Sequence, residues 1–239
     1  MRLRAVCVSK LELSRFFFER RYEQKVMRLR AVCVSKLELS RFFFERRYEQ
    51  KVMHLRAVCV SKLEFECLER KRKMDVSLFS NQYLVRKMRA DDAAEIYTLC
   101  YKNSLYYQYC PPFVSEQSIM NDMNALPPNK EMYDKYYLGF YDGEKLIAVM
   151  DFIMAYPDEL TAFIGFFMTD VSVQNTGTGS KIINDLCAYL TRIGLANVRL
   201  GWVKGNPQAE HFWHKNGFRE TGVTYDTENY TVIVAQRGL

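Results

Sequence analysis

Gln174-Asn175-Thr176-Gly177-Thr178-Gly179 lies between a strongly apolar run and an amphipathic run, and this stretch decides the fold. The run before it, Thr161–Thr169, is short and almost continuously apolar, which predicts a buried β-strand. The run after it repeats apolar residues at helical spacing and ends at a glycine. Those residues are Ile182, Ile183, Leu186, Leu190, Ile193 and the terminal Gly194. Glycines therefore occupy a turn that leads from a buried strand into a helix.

Such a turn is suited to an anion. The first backbone N–H groups of a helix have no partner inside the helix, and the positive end of the helix dipole lies there. The turn is not a Walker loop, because no Gly-Lys-Ser/Thr closes it. It is not the dinucleotide fingerprint either, because Ile182 stands where the third glycine belongs. The pattern predicts a site for an anion such as a pyrophosphate.

A second motif follows at the right distance. Asn206 begins an Asn-x-x-Ala sequence that ends at Ala209, and Gly217-Phe218 comes eight residues after that alanine. Together with Gln-x-x-Gly-x-Gly, this order resembles the acetyl-CoA signature of the GNAT N-acetyltransferase family. The resemblance covers the chain from about Gln82 to the C-terminus. It implies an α+β fold with a mixed, mostly antiparallel central sheet flanked by helices.

The N-terminal part of the chain is a tandem repeat. Residues 1–26 recur unchanged as residues 27–52, and a slightly altered third copy begins at Met53, so the period is 26 residues. Exact copies are unusual for stacked solenoid units, which normally diverge. We expect residues 1–73 to be a recent duplication or upstream sequence read in frame, forming an extension that is not native or is disordered. The GNAT-like domain is then expected over residues 74–239, with Met74 as a plausible start.

Charge divides the chain at the same place. Residues 1–73 carry 20 Lys and Arg against 9 Asp and Glu, and the remainder carries 14 against 19. The overall formal charge of +6 therefore belongs to the repeats. An acidic domain argues against sequence-independent nucleic-acid binding and favours a cationic acceptor. The basic repeats, with aromatic residues among their arginines, leave open an adaptor role toward nucleic acid or a membrane surface.

Cysteine spacing and hydropathy exclude several other classes. The seven cysteines contain no Cys-x-x-Cys pair, so neither a disulfide framework nor a zinc site is predicted. His211 and His214 lack a third ligand at suitable spacing, so no metal is expected. No stretch is long and apolar enough to span a bilayer, and no signal-peptide pattern begins the chain. The predicted location is the cytoplasm.

The predicted order of elements over residues 83–235 is strand, two helices, three strands, helix, strand, helix and two strands. Asp92 with Glu95 predicts a capping box at the first helix, and Ser115 predicts the N-cap of the second. Asp142-Gly143 predicts a hairpin turn, and Asn206 followed by Pro207 predicts another helix start. The GNAT resemblance implies the same order.

The resemblance also implies which residues hold the cofactor, acetyl-CoA. The end of the strand before the turn matches positions whose backbone pairs with the pantetheine arm, and the turn matches the pyrophosphate cradle. The implied cofactor residues are Phe167, Met168, Thr169, Gln174, Asn175, Thr176, Gly177, Thr178, Gly179, Ser180 and Asn206. Asn206 can serve as a helix cap as well as a contact to the cofactor arm.

The catalytic groups depart from the family pattern. Trp213 stands where family members often carry a tyrosine that acts as general acid, and an indole N–H can only donate a hydrogen bond. Trp213 is a catalytic candidate, although packing on the buried face of its helix is the competing interpretation. The strand before the turn lacks the glutamate base that members often carry. Asp151, alone in an apolar strand, is the candidate base or acceptor-orienting group, with a solvent-facing carboxylate as the alternative.

The acceptor is predicted to be a small-molecule or peptide amine. Aromatic residues around the first helix–loop–helix would bind an amine through cation–π contacts, and Tyr106, Tyr107 and Tyr109 are the candidates. The predicted function is transfer of acetyl from acetyl-CoA to a primary amine by direct attack. The alternatives are a CoA-binding module without catalysis and an adaptor that acts through the repeats. The C-terminal strands are also expected to allow a homodimer.

Overall fold

The computed structural model describes residues 74–239. The predictions about the tandem repeats fall on residues 1–73 and so lie outside the described residues.

A single mixed sheet organises this part of the chain. Its seven strands run in the order β1-β2-β3-β4-β5-β7-β6, and every neighbouring pair is antiparallel except β4 and β5. The strands are β1 Leu84–Lys87, β2 Lys135–Asp142, β3 Lys145–Ile153, β4 Thr161–Thr169, β5 Asn197–Val203, β6 Arg219–Asp226 and β7 Thr231–Gly238. This is the mixed, mostly antiparallel α+β sheet that the sequence predicts, and the fold prediction is confirmed.

Within residues 74–239, five α-helices flank the sheet. They are α1 Ala93–Tyr101, α2 Ser104–Tyr109, α3 Glu116–Asn124, α4 Thr178–Arg192 and α5 Pro207–Lys215. α1 and α3 bury Ile96, Leu99, Ile119 and Met123 in a cluster on one face of the sheet. α4 buries its apolar stripe in a larger cluster on the other face, where α5 also packs. The sheet thus has a helix-covered layer on each side, and each layer is a separate apolar core.

Two details of the first helical layer differ from prediction. Asp92 does not cap α1 with Glu95, because its carboxylate accepts the Arg89 N–H at 2.6 Å and pairs with Arg86. The short helix α2 was not predicted, since its Ser-Leu-Tyr-Tyr-Gln-Tyr sequence is too short to show a helical period. Ser115 does cap α3, with its hydroxyl accepting the Ser118 N–H at 3.0 Å.

The feature that positions the site is a divergence between β4 and β5. Their parallel pairing stops at Ile164 and Leu200, although both strands continue. The register between β3 and β4 shifts at the same place, so Gly165 is an extra residue in β4 opposite Asp151. A bulge of this kind bends the bulged strand and increases its twist. β4 therefore leaves β5 after Ile164, and a gap opens between the ends of the two strands.

Candidate active site

A cavity of about 460 Å³ occupies the gap between β4 and β5 and reaches both faces of the sheet. On the α4 and α5 face it contacts the glycine turn and the start of α5. On the α1 to α3 face it contacts Tyr106, Asp151 and Phe166. Beyond the bulge, half of the backbone groups of β4 point toward the gap rather than toward β3. One cavity therefore contains the predicted anion site, free strand edges and the candidate carboxylate.

The glycine turn has the backbone that an anion site requires. Gly177 has φ +90°, a left-handed conformation that favours glycine, and it immediately precedes the first residue of α4. A Cβ atom added at Gly177 would meet no atom within 4 Å. Asn175, Gly177, Gly179 and Ser180 line the cavity. Gly179 and Ser180 lie in the first turn of α4, where backbone N–H groups have no partner within the helix. The N–H of Thr178 makes a long contact of 3.5 Å with the Thr176 hydroxyl oxygen.

The side-chain hydroxyls of Thr176 and Thr178 make contacts within the turn itself. Neither lines the cavity. The Thr176 hydroxyl donates to the Val173 carbonyl at 2.7 Å and lies 2.9 Å from the Thr178 hydroxyl. These contacts close the turn on itself, so the side chains of these two threonines shape the turn.

The Gln174 side chain is engaged inside the protein. Its amide donates to Asn103 Oδ1 at 2.6 Å and to the Thr169 carbonyl at 3.4 Å. Asn103 in turn donates to the carbonyls of Leu99 and Thr169 at 3.0 and 3.2 Å. These hydrogen bonds join the end of α1, the end of β4 and the start of the turn. Gln174 thus fixes the cradle relative to the strand.

Asp170, which follows β4 directly, also holds the start of the turn in place through Ser172 and Lys145. Its carboxylate accepts the N–H of Ser172 at 3.0 Å and lies 3.3 Å from Lys145 Nζ. Burial alone would raise its pKa, but the Ser172 hydrogen bonds and the Lys145 ammonium together hold that pKa below its ordinary value. Asp170 is an ionised turn residue, and it does not line the cavity.

The second motif forms the opposite wall. Asn206 is buried, its Oδ1 accepts the Ala209 N–H at 3.1 Å, and it lines the cavity. Trp213, two turns after Asn206 along α5, lines the cavity too, but only 7% of the residue is exposed. Its ring lies 4.9 Å from Phe212 and 5.1 Å from Phe218, centroid to centroid. Asn206 therefore serves as the predicted helix cap, and Trp213 belongs to an aromatic cluster.

Asp151 is buried on the α1 to α3 face and is not alone. Lys135 Nζ lies 2.7 Å from Asp151 Oδ1 and 2.8 Å from Oδ2, and the two side chains are only 2% and 3% exposed. The alternative interpretation of Asp151 as a solvent-facing carboxylate is therefore wrong. A Cβ at Gly165 would lie 2.7 Å from Asp151 Oδ2. The bulge glycine leaves the space that this carboxylate occupies.

Only one of the three candidate tyrosines lines the cavity. Tyr106 lines the cavity and packs edge-to-face on Phe166 at 5.7 Å. Tyr107 packs instead against Phe113 at 4.9 Å, and neither Tyr107 nor Tyr109 lines the cavity. The cavity does contain Cys110, whose thiol donates to the Tyr230 hydroxyl at 3.5 Å.

Several residues of the site were missed by sequence reasoning. Gly165 could have been found, because an isolated glycine within a strand pattern is typical of a bulge. Trp202 lines the cavity, is buried, and has an indole N–H without an acceptor among the described residues. Lys135 and Tyr230 carry no local signal, since they reach the site only through strand register.

Metal sites and membrane spans are two other features that the described part of the chain lacks. Residues 74–239 contain no group of three or more His, Cys, Asp or Glu side chains arranged for a metal ion. The same residues form no helix with the length and apolar character needed to cross a membrane.

The sequence matches the model of the acetyltransferase (GNAT) family over residues 91–218, which is more than half of the chain. No protein of curated function matches it.

Solved structures share the fold. An acetyltransferase from Thermus thermophilus has a TM-score of 0.54 at 17% identity, covering 70% of this chain and 100% of its own. A spermidine N-acetyltransferase from Vibrio cholerae, solved with CoA and spermine, has a TM-score of 0.51 at 20% identity, covering 66% and 96%. Ard1 from Thermoplasma volcanium has a TM-score of 0.50 at 15% identity, covering 66% and 98%. At these identities the similarity shows a common architecture.

Proposed function

The chain belongs to the acetyltransferase (GNAT) family and is therefore an acyltransferase, and we propose that it moves an acetyl group from acetyl-CoA to a primary amine by direct attack. The observation that carries this proposal is the single cavity between β4 and β5. It joins an anion cradle on one face of the sheet to a buried carboxylate on the other. Two substrates can therefore meet in the gap without either crossing the sheet, and such alignment is itself a large part of acyl-transfer catalysis.

The residues on the α4 and α5 face fit CoA. Open space beside Gly177 and the first-turn amides of Gly179 and Ser180, which line the cavity, suit a pyrophosphate. The β4 edge from Phe167 to Thr169 supplies backbone groups for the amides of the pantetheine arm, apart from the Thr169 carbonyl, which Asn103 and Gln174 already occupy. The Trp202 N–H, buried without an acceptor in the described residues, is a further donor beside the arm. When bound, acetyl-CoA would supply a thioester whose carbonyl carbon accepts the amine.

The bonds and protons that change during acetyl transfer define what the protein must do. The ammonium form of the acceptor loses one proton to solvent before attack. A carbon–nitrogen bond then forms, the carbon–sulfur bond breaks, and CoA leaves as the thiol with the second proton that the attacking nitrogen loses. The chain must hold the amine neutral and correctly placed, and free N–H groups of β4 beside the gap can stabilise negative charge on the carbonyl oxygen.

We assign Asp151 to orienting the acceptor. Its carboxylate lines the cavity and is fixed by Lys135 at 2.7 Å, so it remains an acceptor of hydrogen bonds from an amine. Gly165 keeps the approach to Oδ2 open. Because the Lys135 ammonium stabilises the ionised carboxylate, the geometry favours an orienting role over that of a proton shuttle.

Trp213 favours a second candidate function, a CoA-binding module without catalysis. Its indole cannot serve as the general acid toward the thiolate, and its packing among Phe167, Phe212 and Phe218 suits a structural residue. The two functions differ in turnover and not in cofactor binding. An adaptor role of the repeats, cytoplasmic location and a homodimer remain predictions.

The test is the release of free CoA by the full chain from acetyl-CoA in the presence of a panel of amines. Gly177→Trp would fill the cradle, and Gly222→Trp is its matched control. Gly222 also has positive φ and open space around it, but it lies in β6 away from the cavity. Amine-dependent release that is lost in Gly177→Trp and kept in Gly222→Trp supports the transferase. Acetyl-CoA binding without release on any amine supports the binding module.

A further inference from the structure

The half of the cavity on the α1 to α3 face, here called the acceptor half, carries no net charge. Asp151 is the only Asp or Glu among the described residues that line the whole cavity. That carboxylate already has the Lys135 ammonium at 2.7 Å, and both side chains are almost fully buried. A ligand with several ammonium groups would find no second carboxylate among the described residues that line the cavity.

The remaining polar groups of the acceptor half are uncharged. Burial raises the pKa of Tyr106 well above its ordinary value, so its hydroxyl stays protonated at neutral pH. The Cys110 thiol and the Tyr230 hydroxyl form a hydrogen bond of 3.5 Å with each other. These groups can accept one N–H but cannot neutralise a cation.

The walls are aromatic and already arranged edge-to-face. Tyr106 and Phe166 have ring centroids 5.7 Å apart with planes at 78°. Tyr156 and Phe163 have centroids 5.5 Å apart with planes at 89°, and all four residues line the cavity. Edge-to-face contacts are a preferred geometry for a further aromatic ring as well.

We propose that the acceptor is an aryl-bearing primary monoamine, with its ring between the two aromatic pairs and its nitrogen toward Asp151. This inference rests on the proposed function and names the substrate class of the same site. An unpaired ammonium in an apolar cavity carries a large desolvation cost, so polyamines are disfavoured. The same apolar surroundings favour the neutral form of the single amine, which is the nucleophilic form. The acceptor half thus supplies part of what the missing strand glutamate would have supplied.

The experiment measures kcat/KM of the full chain for three acceptors at saturating acetyl-CoA: 2-phenylethylamine, spermidine and a short peptide with a free N-terminus. We expect 2-phenylethylamine to exceed spermidine by about 100-fold or more. A parallel measurement, the thermal shift of the protein with CoA on adding each amine, reports binding without turnover.

Two leucine-to-aspartate variants test whether the lack of a second carboxylate in the cavity sets the preference for a monoamine. Leu126→Asp places a carboxylate on a half-buried loop residue that lines the cavity after α3. We expect it to raise the ratio of spermidine to 2-phenylethylamine activity by about tenfold. Leu160→Asp makes the same change on an exposed loop residue outside the cavity and should leave the ratio unchanged.

The outcomes separate the two claims. Turnover that is faster with spermidine or the peptide overturns the aryl monoamine while the transferase stands. No turnover with any amine, but a thermal shift by 2-phenylethylamine and none by spermidine, overturns the transferase and supports the ligand class. No turnover and no shift with any amine overturns both.

Discussion

The buried pair of Lys135 and Asp151 gives the sharpest prediction about stability. Both side chains are at most 3% exposed, and their charged atoms are 2.7 Å apart. Lys135→Met would remove the ammonium and leave a carboxylate in an apolar core. Removing one partner of a buried pair costs about 3–5 kcal/mol, which is a large share of the free energy of unfolding of a typical domain.

The pH dependence follows from the same substitution. Without the ammonium, burial raises the pKa of the Asp151 carboxyl in the folded state above its unfolded value. The folded state then binds a proton more readily than the unfolded state, so stability is lost as pH rises and recovered as pH falls. Relative to the wild type, Lys135→Met should therefore become more stable as the pH falls. Adding Asp151→Asn removes the titrating group and should abolish this difference.

Urea unfolding followed by tryptophan fluorescence measures both effects. The chain has two tryptophans, Trp202 and Trp213, and both lie in the core of the described domain. Lys145→Met is the matched control, because Lys145 also pairs with an aspartate but is 55% exposed. An exposed pair contributes about 0–1 kcal/mol. If Lys135→Met costs no more than Lys145→Met and shows no pH-dependent recovery, the buried pair is not as described.

Three further predictions concern the bulge, the second motif and the turn. Gly165→Ala should cost about 1–3 kcal/mol in urea unfolding, because its Cβ would lie 2.7 Å from Asp151 Oδ2; an equal cost in an Asp151→Ala background would refute that cause. Asn206→Ala should lose about 1 kcal/mol of stability in thermal unfolding, because it removes the cap of α5. Asn206→Asp should keep the cap but weaken acetyl-CoA binding, measured by calorimetry. Unchanged affinity in Asn206→Asp would limit Asn206 to capping. Because the pKa of Asp170 is lowered in the folded state, its ionised carboxylate stabilises the fold at pH values above the unfolded pKa, and this stabilisation is lost as the pH falls through the folded pKa. Asp170→Asn should therefore lose less stability on acidification than the wild type, measured by urea unfolding at a series of pH values. Parallel losses in the two proteins would contradict this.

The strongly patterned elements could be predicted from the sequence. The apolar run Thr161–Thr169 is a strand with those bounds, and the helical stripe from Ile182 to Leu190 is buried on one face. Left-handed Gly177 opens α4, and left-handed Gly217 follows α5, as their positions predict. Each of these depends on local chemistry: period, capping and the conformational freedom of glycine.

The acceptor half could not be predicted in the same way, because it depends on register. A regular hairpin counted from Asp142 and Lys145 would place Asp151 opposite Tyr136 and leave Lys135 on the other face. A bulge between Phe140 and Tyr141 in the pairing of β2 with β3 shifts the register by one residue. Asp151 then pairs with Tyr137, and Lys135 lies on its face.

The divergence of β4 from β5 escaped prediction for a related reason. The apolar run predicts a strand but not its partner, and the parallel pairing with β5 involves residues more than thirty positions away. Only Gly165, an isolated glycine within the run, indicated a bulge where the strands separate. The sequence therefore predicts the walls of the cavity better than the gap between them.

The most direct measurement is a crystal structure of the full chain with CoA and 2-phenylethylamine. We expect the pyrophosphate at the first amides of α4 beside Gly177, the pantetheine arm along the free edge of β4, and the amine nitrogen toward Asp151. CoA bound away from the glycine turn, or the amine on the same face of the sheet as the pyrophosphate, would contradict the two-faced cavity as the site of acetyl transfer.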